Sequence, residues 1–221
     1  ARWWARFHLN DFTDEWYRSL FEIRRGITGD ITPCYSILDG EDFARMHEVA
    51  PQAKLIFMIR NPMDRAWSML RFHEQFGTPL DLENFEVFKE RIDSPGQELR
   101  TDYLRTIDAV LMVYPADQVM IGFFDAISRD PEGLFGALCD YLGAKRPAFE
   151  GAGLRKRVNE SKRKDSCPPD FRRYLVEKYT PDVEVLAARY GSYAREWLQA
   201  LNGGAVTPDA SPPPPVIFPG R

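Results

Sequence analysis

Hydrophobic and polar positions alternate along this chain in two distinct rhythms. Trp16, Tyr17, Leu20 and Phe21 recur at helical spacing, which predicts an amphipathic helix over about residues 13–25. Gly26 and Gly29 then punctuate a short extended piece through Ile31, stopped by Pro33. Phe43, Met46 and Val49 fall on one side of a second predicted helix near 41–49. The rhythm changes at Leu55-Ile56-Phe57-Met58-Ile59, a continuous apolar run of strand length. Such a run suits a strand covered on both faces, as in a parallel sheet. Asn61-Pro62 follows at once, with Asn61 as N-cap, Pro62 at the first helical position and Asp64 at the third, so a helix begins here. It carries on through Trp67, Leu70 and Arg71 and loosens near Gly77.

The same βα pattern returns downstream. Leu99, Tyr103, Ile107, Val110, Leu111 and Tyr114 form one helical stripe, and it leads into a second buried-strand run, Val119 to Phe124. Asp130-Pro131 repeats the cap-plus-proline start, Leu134, Leu138, Tyr141 and Leu142 fill the helix face, and Gly143 ends it. Past residue 150 come a basic loop and helices near 169–179 and 181–198. Alternating strands and helices argue for an α/β layer fold. The stretch 203–221, with Pro208 and Pro212 to Pro215, reads as a mobile tail, leaving residues 1–202 as the folded domain. No internal repeat stands out.

Composition narrows the function classes. The 221 residues suffice for one ordinary domain or two very small ones, and 44% hydrophobic with 28% charged residues is a globular mixture. A net charge of −4 argues against a global field for nucleic acid, so any anion must be held by local basic clusters. No apolar run approaches the roughly 18 residues of a membrane span. Cys34, Cys139 and Cys167 are odd in number and far apart, which fits neither a disulfide framework nor a zinc site and suits reduced thiols in a cytoplasmic protein. His8, His47 and His73 do not cluster with them. The chain begins at Ala1 without a signal-peptide pattern, and this start reads as a cut inside a longer protein.

The chemistry concentrates between Lys54 and Ser68. Arg60 sits where the first strand reaches its C-terminal end, the edge at which open α/β sheets bind ligands. The following helix aims its first N–H groups and its positive dipole end at the same crevice. Arg65 and Ser68 are three apart, hence on one helix face. Guanidinium, hydroxyl and helix terminus together can clamp a phosphate. Spacing alone leaves open a plainer alternative, in which both arginines make surface ion pairs and Ser68 merely tolerates its helix.

A strand ending in Arg60-Asn61-Pro62, followed by Arg65-Ala66-Trp67-Ser68, resembles the 3′-phosphate motif of sulfotransferases that use 3′-phosphoadenosine 5′-phosphosulfate (PAPS). The likeness extends over about residues 13–200 and is to the bacterial-type and carbohydrate sulfotransferases. It implies a three-layer, P-loop-like nucleotide-binding α/β fold with a central parallel sheet, incomplete at its N-terminus in this chain. It also implies that Arg60 and Ser68 hold the 3′-phosphate of PAPS or of its product, adenosine 3′,5′-bisphosphate (PAP), with Arg65 beside them and no metal. Upstream, Gly29-Asp30-Ile31-Thr32-Pro33-Cys34-Tyr35 resembles the family's Gly-Glu/Asp-x-Thr-Pro-x-Tyr segment, with Ile31 where some members carry Lys. Downstream, Arg155 to Lys164 contains six basic residues and one acid, and its position matches the family's nucleotide-closing loop. Asn159, Lys162 and Arg163 are its candidate donor contacts; read without the resemblance, the run is an ordinary solvated charge cluster. Tyr103 is either a nucleotide-lining residue or a buried helix aromatic.

Two expected parts of such an enzyme are not recognisable. No Gly-rich loop precedes a Lys-Ser/Thr pair to wrap a 5′-phosphosulfate, and the base-bearing strand that follows that loop in the family is missing. His73, Glu74 and Asp30 are poor substitutes for the base; His73, five residues past Ser68, has the wrong helical spacing to face it. The leading expectation is sulfuryl transfer from PAPS to a hydroxyl or amine of a glycan or small-molecule acceptor, with residues 74–98 as the acceptor-side region. The alternative is a non-catalytic nucleotide-binding or interaction module on the same scaffold. A nucleotide-kinase-like protein is a third reading, but neither a Walker A loop nor a Mg²⁺ site is evident. Oligomeric state is not legible.

Overall fold

The computed structural model of the chain describes residues 11–22, 26–76, 84–146, 166–203 and 212–219. Strand β1 (Leu55–Ile59) pairs in parallel with β2 (Val119–Phe123), in register from Leu55 opposite Val119 to Ile59 opposite Phe123. Both strands form where the sequence predicts them, because each is an uninterrupted run of β-compatible apolar residues. The connection between them is helical: α3 (Pro62–Phe76), α4 (Phe85–Ile92), α5 (Pro95–Thr101) and α6 (Tyr103–Leu111). Before β1 come α1 (Asp14–Ser19), a short 3₁₀ helix (Pro33–Ile37) and α2 (Gly40–Val49). After β2 come α7 (Ala126–Arg129), α8 (Pro131–Leu142), α9 (Pro169–Tyr190) and α10 (Ser192–Leu201).

The sheet is mixed rather than purely parallel. A third strand, β3 (Val216–Ile217), lies antiparallel along the free side of β2, giving the order β1-β2-β3. It comes from the region expected to be a mobile tail, and residues 212–219 are instead docked. The proline run supplies carbonyls but no N–H groups. Accordingly Pro215 accepts from the Phe123 N–H (3.0 Å), Pro214 accepts from the Ser192 hydroxyl (2.6 Å), and ladder pairing starts where the prolines stop, at Val216.

One face of the sheet is the main core. Ile59, Ile121 and Phe123 pack against Tyr103 and Ile107 of α6, Val183 and Leu186 of α9, and Tyr193 and Trp197 of α10. The other face is less complete. β2 is buried along its whole length, but Ile56 and Met58 on β1 each remain 37% exposed. The expectation that β1 is covered on both faces therefore does not hold among the described residues. Gly122 matters here: a Cβ at that position would collide with the Met58 sulfur, so the bare backbone lets Met58 lie across β2.

A second cluster welds α3 to the helical side: Ala66 and Leu70 meet Phe88 and Ile92 of α4 and Phe171, Leu175 and Tyr179 of α9, with the Phe88 and Phe171 rings stacked at 4.1 Å. Helix boundaries shift where backbone chemistry overrides periodicity. The apolar stripe 99–114 is broken at Asp102, whose ψ of 76° leaves the helical region while its carboxylate caps Arg105 N–H (3.0 Å). The break expected between 179 and 181 is absent, and Pro181 lies inside a single helix. α9 runs straight through this proline, held by buried Tyr179, Val183 and Leu186, and ends at Gly191, whose φ of 61° and ψ of −132° suit glycine alone. The first helix is also shorter than its pattern, running from a Thr13 cap only to Ser19.

Candidate functional site

Because β1 and β2 are parallel and in register, their C-terminal ends finish side by side, and the residues that follow each strand share one edge. Arg60 follows β1 and Phe124 follows β2; the Phe124 N–H donates to Ile59 O (2.8 Å). α3 begins two residues past β1. Buried Asn61 caps it as the sequence predicts, accepting from Met63 N–H (3.0 Å), and Pro62 takes the first helical position. Strand end, tight turn and helix N-terminus thus converge at the C-terminal edge of the sheet, the edge at which open α/β sheets bind ligands.

Within this frame the three predicted residues behave differently. Arg60 is half-buried, and its guanidinium lies over the Phe124 ring at 4.9 Å. It makes no hydrogen bond or ion pair with a described residue. Ser68 is half-buried on α3, and its hydroxyl likewise has no hydrogen-bond partner among the described residues. Arg65 is turned inward. It donates to Thr101 Oγ1 (2.9 Å) and Gln97 Oε1 (3.3 Å), both on α5. Burial lowers its pKa, and the charges of Arg100 and Arg60 push the same way, against the opposing influence of Tyr103 and Tyr179. The guanidinium pKa starts so high that Arg65 stays a cation.

Sequence reasoning left Tyr103 between two roles, and the structure places it in the core at 4% exposure. Its hydroxyl lies within reach of the Arg60 backbone, that of Tyr179 within reach of Thr101, and buried Gln97 Nε2 has no partner among the described residues. Burial pushes Tyr103 up to about 12. Asp125, one residue past Phe124, was not foreseen. One of its oxygens accepts from Trp197 Nε1 (3.3 Å), the other is buried and unpartnered among the described residues, and burial raises its pKa.

The segment from Asp30 to Tyr35 forms its own small network. Tyr35 donates to Asp30 Oδ2 (2.6 Å) and lies 3.3 Å from the Tyr17 hydroxyl, and Thr32 caps the 3₁₀ helix that Pro33 opens. Arg105 holds this helix against α6. Its guanidinium donates to the carbonyls of Ser36 (2.7 Å) and Leu38 (2.8 Å), and Thr106 also donates to Ser36 O (2.9 Å). Ile31 is 99% exposed. Asn159, Lys162, Arg163 and the rest of the basic run 155–164 lie outside the described residues, as do the side chains of His73 and Glu74 and residues 77–83.

Sequence comparison ties this geometry to a family. The profile of the sulfotransferase domain matches residues 45–165, more than half of the chain and the whole of the β1–α3 and β2–α8 units. The chain belongs to the sulfotransferase domain family. Among similar proteins, the human heparan sulfate glucosamine 3-O-sulfotransferase 6 is 30% identical over 139 residues, which cover 59% of this chain and 40% of that protein. Human heparan sulfate glucosamine 3-O-sulfotransferase 3B1 is 29% identical over 140 residues, covering 59% and 35%. The chain therefore spans well under half the length of these relatives. A sulfotransferase from Alicyclobacillus acidocaldarius shares the fold, with a TM-score of 0.57 at 24% identity over 92% of this chain and 76% of that one. The three-layer, P-loop-like α/β architecture expected from the motif is thus the family's fold, here with a small mixed sheet.

The residues missed from sequence, Gln97, Thr101, Arg105, Phe124 and Asp125, have a common cause. Each acquires its role from a neighbour far along the chain, and only the strand register and the docking of α5 and α6 create those neighbours. The single signal available was positional: once both strands are read as parallel and in register, the residue after the second must stand beside Arg60.

Proposed function

We propose that this protein transfers a sulfuryl group from PAPS to a hydroxyl of a glycan, and that Arg60 and Ser68 bind the 3′-phosphate of the donor. The observation that carries the reading is the state of Arg60: a half-buried cation at the C-terminal edge of a parallel strand, beside a helix N-terminus, with no hydrogen bond or ion pair among the described residues. Buried or half-buried cations are ordinarily paired, so an unpaired one at a ligand-binding edge is poised for an anion. A guanidinium, a hydroxyl and backbone N–H groups match the oxygens of a phosphate monoester, so the donor set fits this group. Heparan sulfate glucosamine 3-O-sulfotransferases among the relatives support a sugar hydroxyl as acceptor. The three free cysteines are consistent with a reducing, cytoplasmic setting.

Bound PAPS supplies the activated sulfuryl group on its phosphosulfate. The chain's own residues divide the remaining work. Arg60 and Ser68 fix the nucleotide end by its 3′-phosphate. Arg65, through Gln97 and Thr101, sets the position of α3 against α5 and so of the clamp itself. Arg105 holds the C-terminal end of the 3₁₀ helix that follows Thr32 against α6, through the Ser36 and Leu38 carbonyls. Asn159, Lys162 and Arg163 are the proposed cover over the donor.

Isothermal calorimetry with PAP and AMP tests the assignment. PAP is expected to bind more tightly by at least about thirtyfold, and Arg60→Ala to remove about 2 kcal/mol of that preference, the scale of a charge-assisted bond. Equal binding of the two nucleotides overturns the reading. A second reading, donor binding without catalysis, is favoured by Ile31, a solvent-exposed apolar residue where some members of the family carry Lys. Incubation with PAPS carrying labelled sulfate and a heparan-type glycan separates the two, since only an enzyme moves label to the polymer.

A further inference from the structure

Arg60 has one described partner, and it is an aromatic ring. The parallel register puts Ile59 opposite Phe123, so the next residues, Arg60 and Phe124, leave the sheet together. The Phe124 N–H bond to Ile59 O fixes the two backbones relative to each other. The guanidinium carbon then sits 4.9 Å from the centroid of the Phe124 ring, inside the range where a cation is attracted by the negative face of an aromatic. Phe124 is 46% exposed and contributes to none of the three buried clusters, unlike its neighbour Phe123, which is fully buried. An exposed phenylalanine at a ligand-binding edge gains nothing for the core by being there.

We infer that Phe124 is a positioning residue, holding the Arg60 guanidinium over its face so that the N–H edge is presented to the donor's 3′-phosphate before the donor arrives. This rests on the reading of Arg60 proposed above. The physics is pre-organisation. A free arginine side chain carries about 2 kcal/mol of rotamer entropy, part of which is lost on binding a phosphate. Contact with the ring restricts the guanidinium beforehand without placing a competing oxygen acceptor on it. A carboxylate partner would hold the arginine equally well but would compete with the phosphate. Asp125 and Asp64 are the nearby acids, and neither makes an ion pair with Arg60. Burial raises the Asp125 pKa, and its Oδ1 is turned to Trp197.

The test is calorimetry of the full chain with PAP and AMP, comparing wild type, Phe124→Leu, Phe124→Tyr, Arg60→Ala and the Phe124→Leu/Arg60→Ala pair. Leucine keeps apolar bulk and loses the ring quadrupole; tyrosine keeps the ring. The expected result is a PAP affinity about fivefold weaker in Phe124→Leu, AMP affinity unchanged, and PAP affinity within about twofold of wild type in Phe124→Tyr. The double variant should bind PAP no more weakly than Arg60→Ala alone, since Phe124 acts through Arg60. Wild-type PAP preference retained in Phe124→Leu overturns the inference and leaves the proposed function standing. Equal losses for PAP and AMP overturn it too, since they would mean that Phe124 touches a part of the nucleotide common to both. A wild type without PAP preference overturns the underlying reading instead. Thermal melting of Phe124→Leu is expected to match wild type, as the side chain lies outside the core; Phe124→Met serves as a second ring-free variant on the same criterion.

Discussion

Arg65 and Arg60 lie five residues apart and meet opposite fates. Arg65 is buried against α5, its pKa lowered chiefly by that burial, with Thr101 and Gln97 accepting its hydrogen bonds. Removing it leaves the Thr101 and Gln97 oxygens short of a donor in a buried setting. Arg65→Met is therefore expected to lower unfolding free energy by about 1–3 kcal/mol, read from the urea midpoint at unchanged slope. Arg60 sits at the sheet edge without a hydrogen bond or ion pair among the described residues, so under the proposed function its replacement is read in ligand affinity. The motif contains both arginines, but nothing local to it says which one faces inward. α5 settles that, through two polar side chains more than thirty residues downstream.

At the scale of elements, the junction of α4, α5 and α9 is held by a compact polar network. Lys178 on α9 donates to Asp93 (2.8 Å) and Glu98 (2.9 Å), and the Tyr174 hydroxyl also reaches Asp93 (2.6 Å). Burial alone would raise the Asp93 carboxyl, but hydrogen bonds from Lys178 and Tyr174 outweigh it and hold the pKa below the usual carboxylate value. A folded-state pKa below the unfolded one contributes stability above the unfolded value of about 4, and that contribution is lost as pH falls through the folded value. Asp93→Asn is expected to cost about 1 kcal/mol at pH 7, a figure kept small by partial solvent screening. The gap from wild type should close as pH drops below about 4, in urea titrations across that range. A gap that persists at low pH would assign the effect to packing. The pairing was not legible from sequence, because Asp93 and Lys178 belong to helices whose patterns carry no mark of each other.

Over the whole molecule, the C-terminal segment is the least expected contributor. Proline-rich composition reads as a tail, yet Val216 and Ile217 complete the sheet beside β2, and Phe218 approaches the Tyr141 ring at 5.7 Å. Val216 and Ile217 also pack against the main core cluster. Deleting residues 212–221 uncovers the edge of β2 and part of that core. At roughly 2 kcal/mol for partial burial of these side chains, the melting temperature should fall by about 4–8 °C in a chain of this size. An unchanged melting temperature would return the segment to the status of a tail. On the opposite side of the sheet, the outer edge of β1 has no strand partner among the described residues, and Ile56 and Met58 stay partly exposed.

Sequence by itself determined the two parallel strands, the capped helix starts at Asn61 and Asp130, and the Arg60–Ser68 motif. These are written in nearest-neighbour chemistry: apolar runs, side-chain caps and fixed spacings act over a few residues and need no distant partner. Tertiary structure decided which arginine turns inward, what lies beneath Arg60, why Pro181 fails to end its helix and where the proline-rich end docks. Each depends on contacts between segments far apart in the chain, and so on packing and strand register, which local patterns constrain but do not specify. The motif names the proposed phosphate clamp. The fold sets its aim.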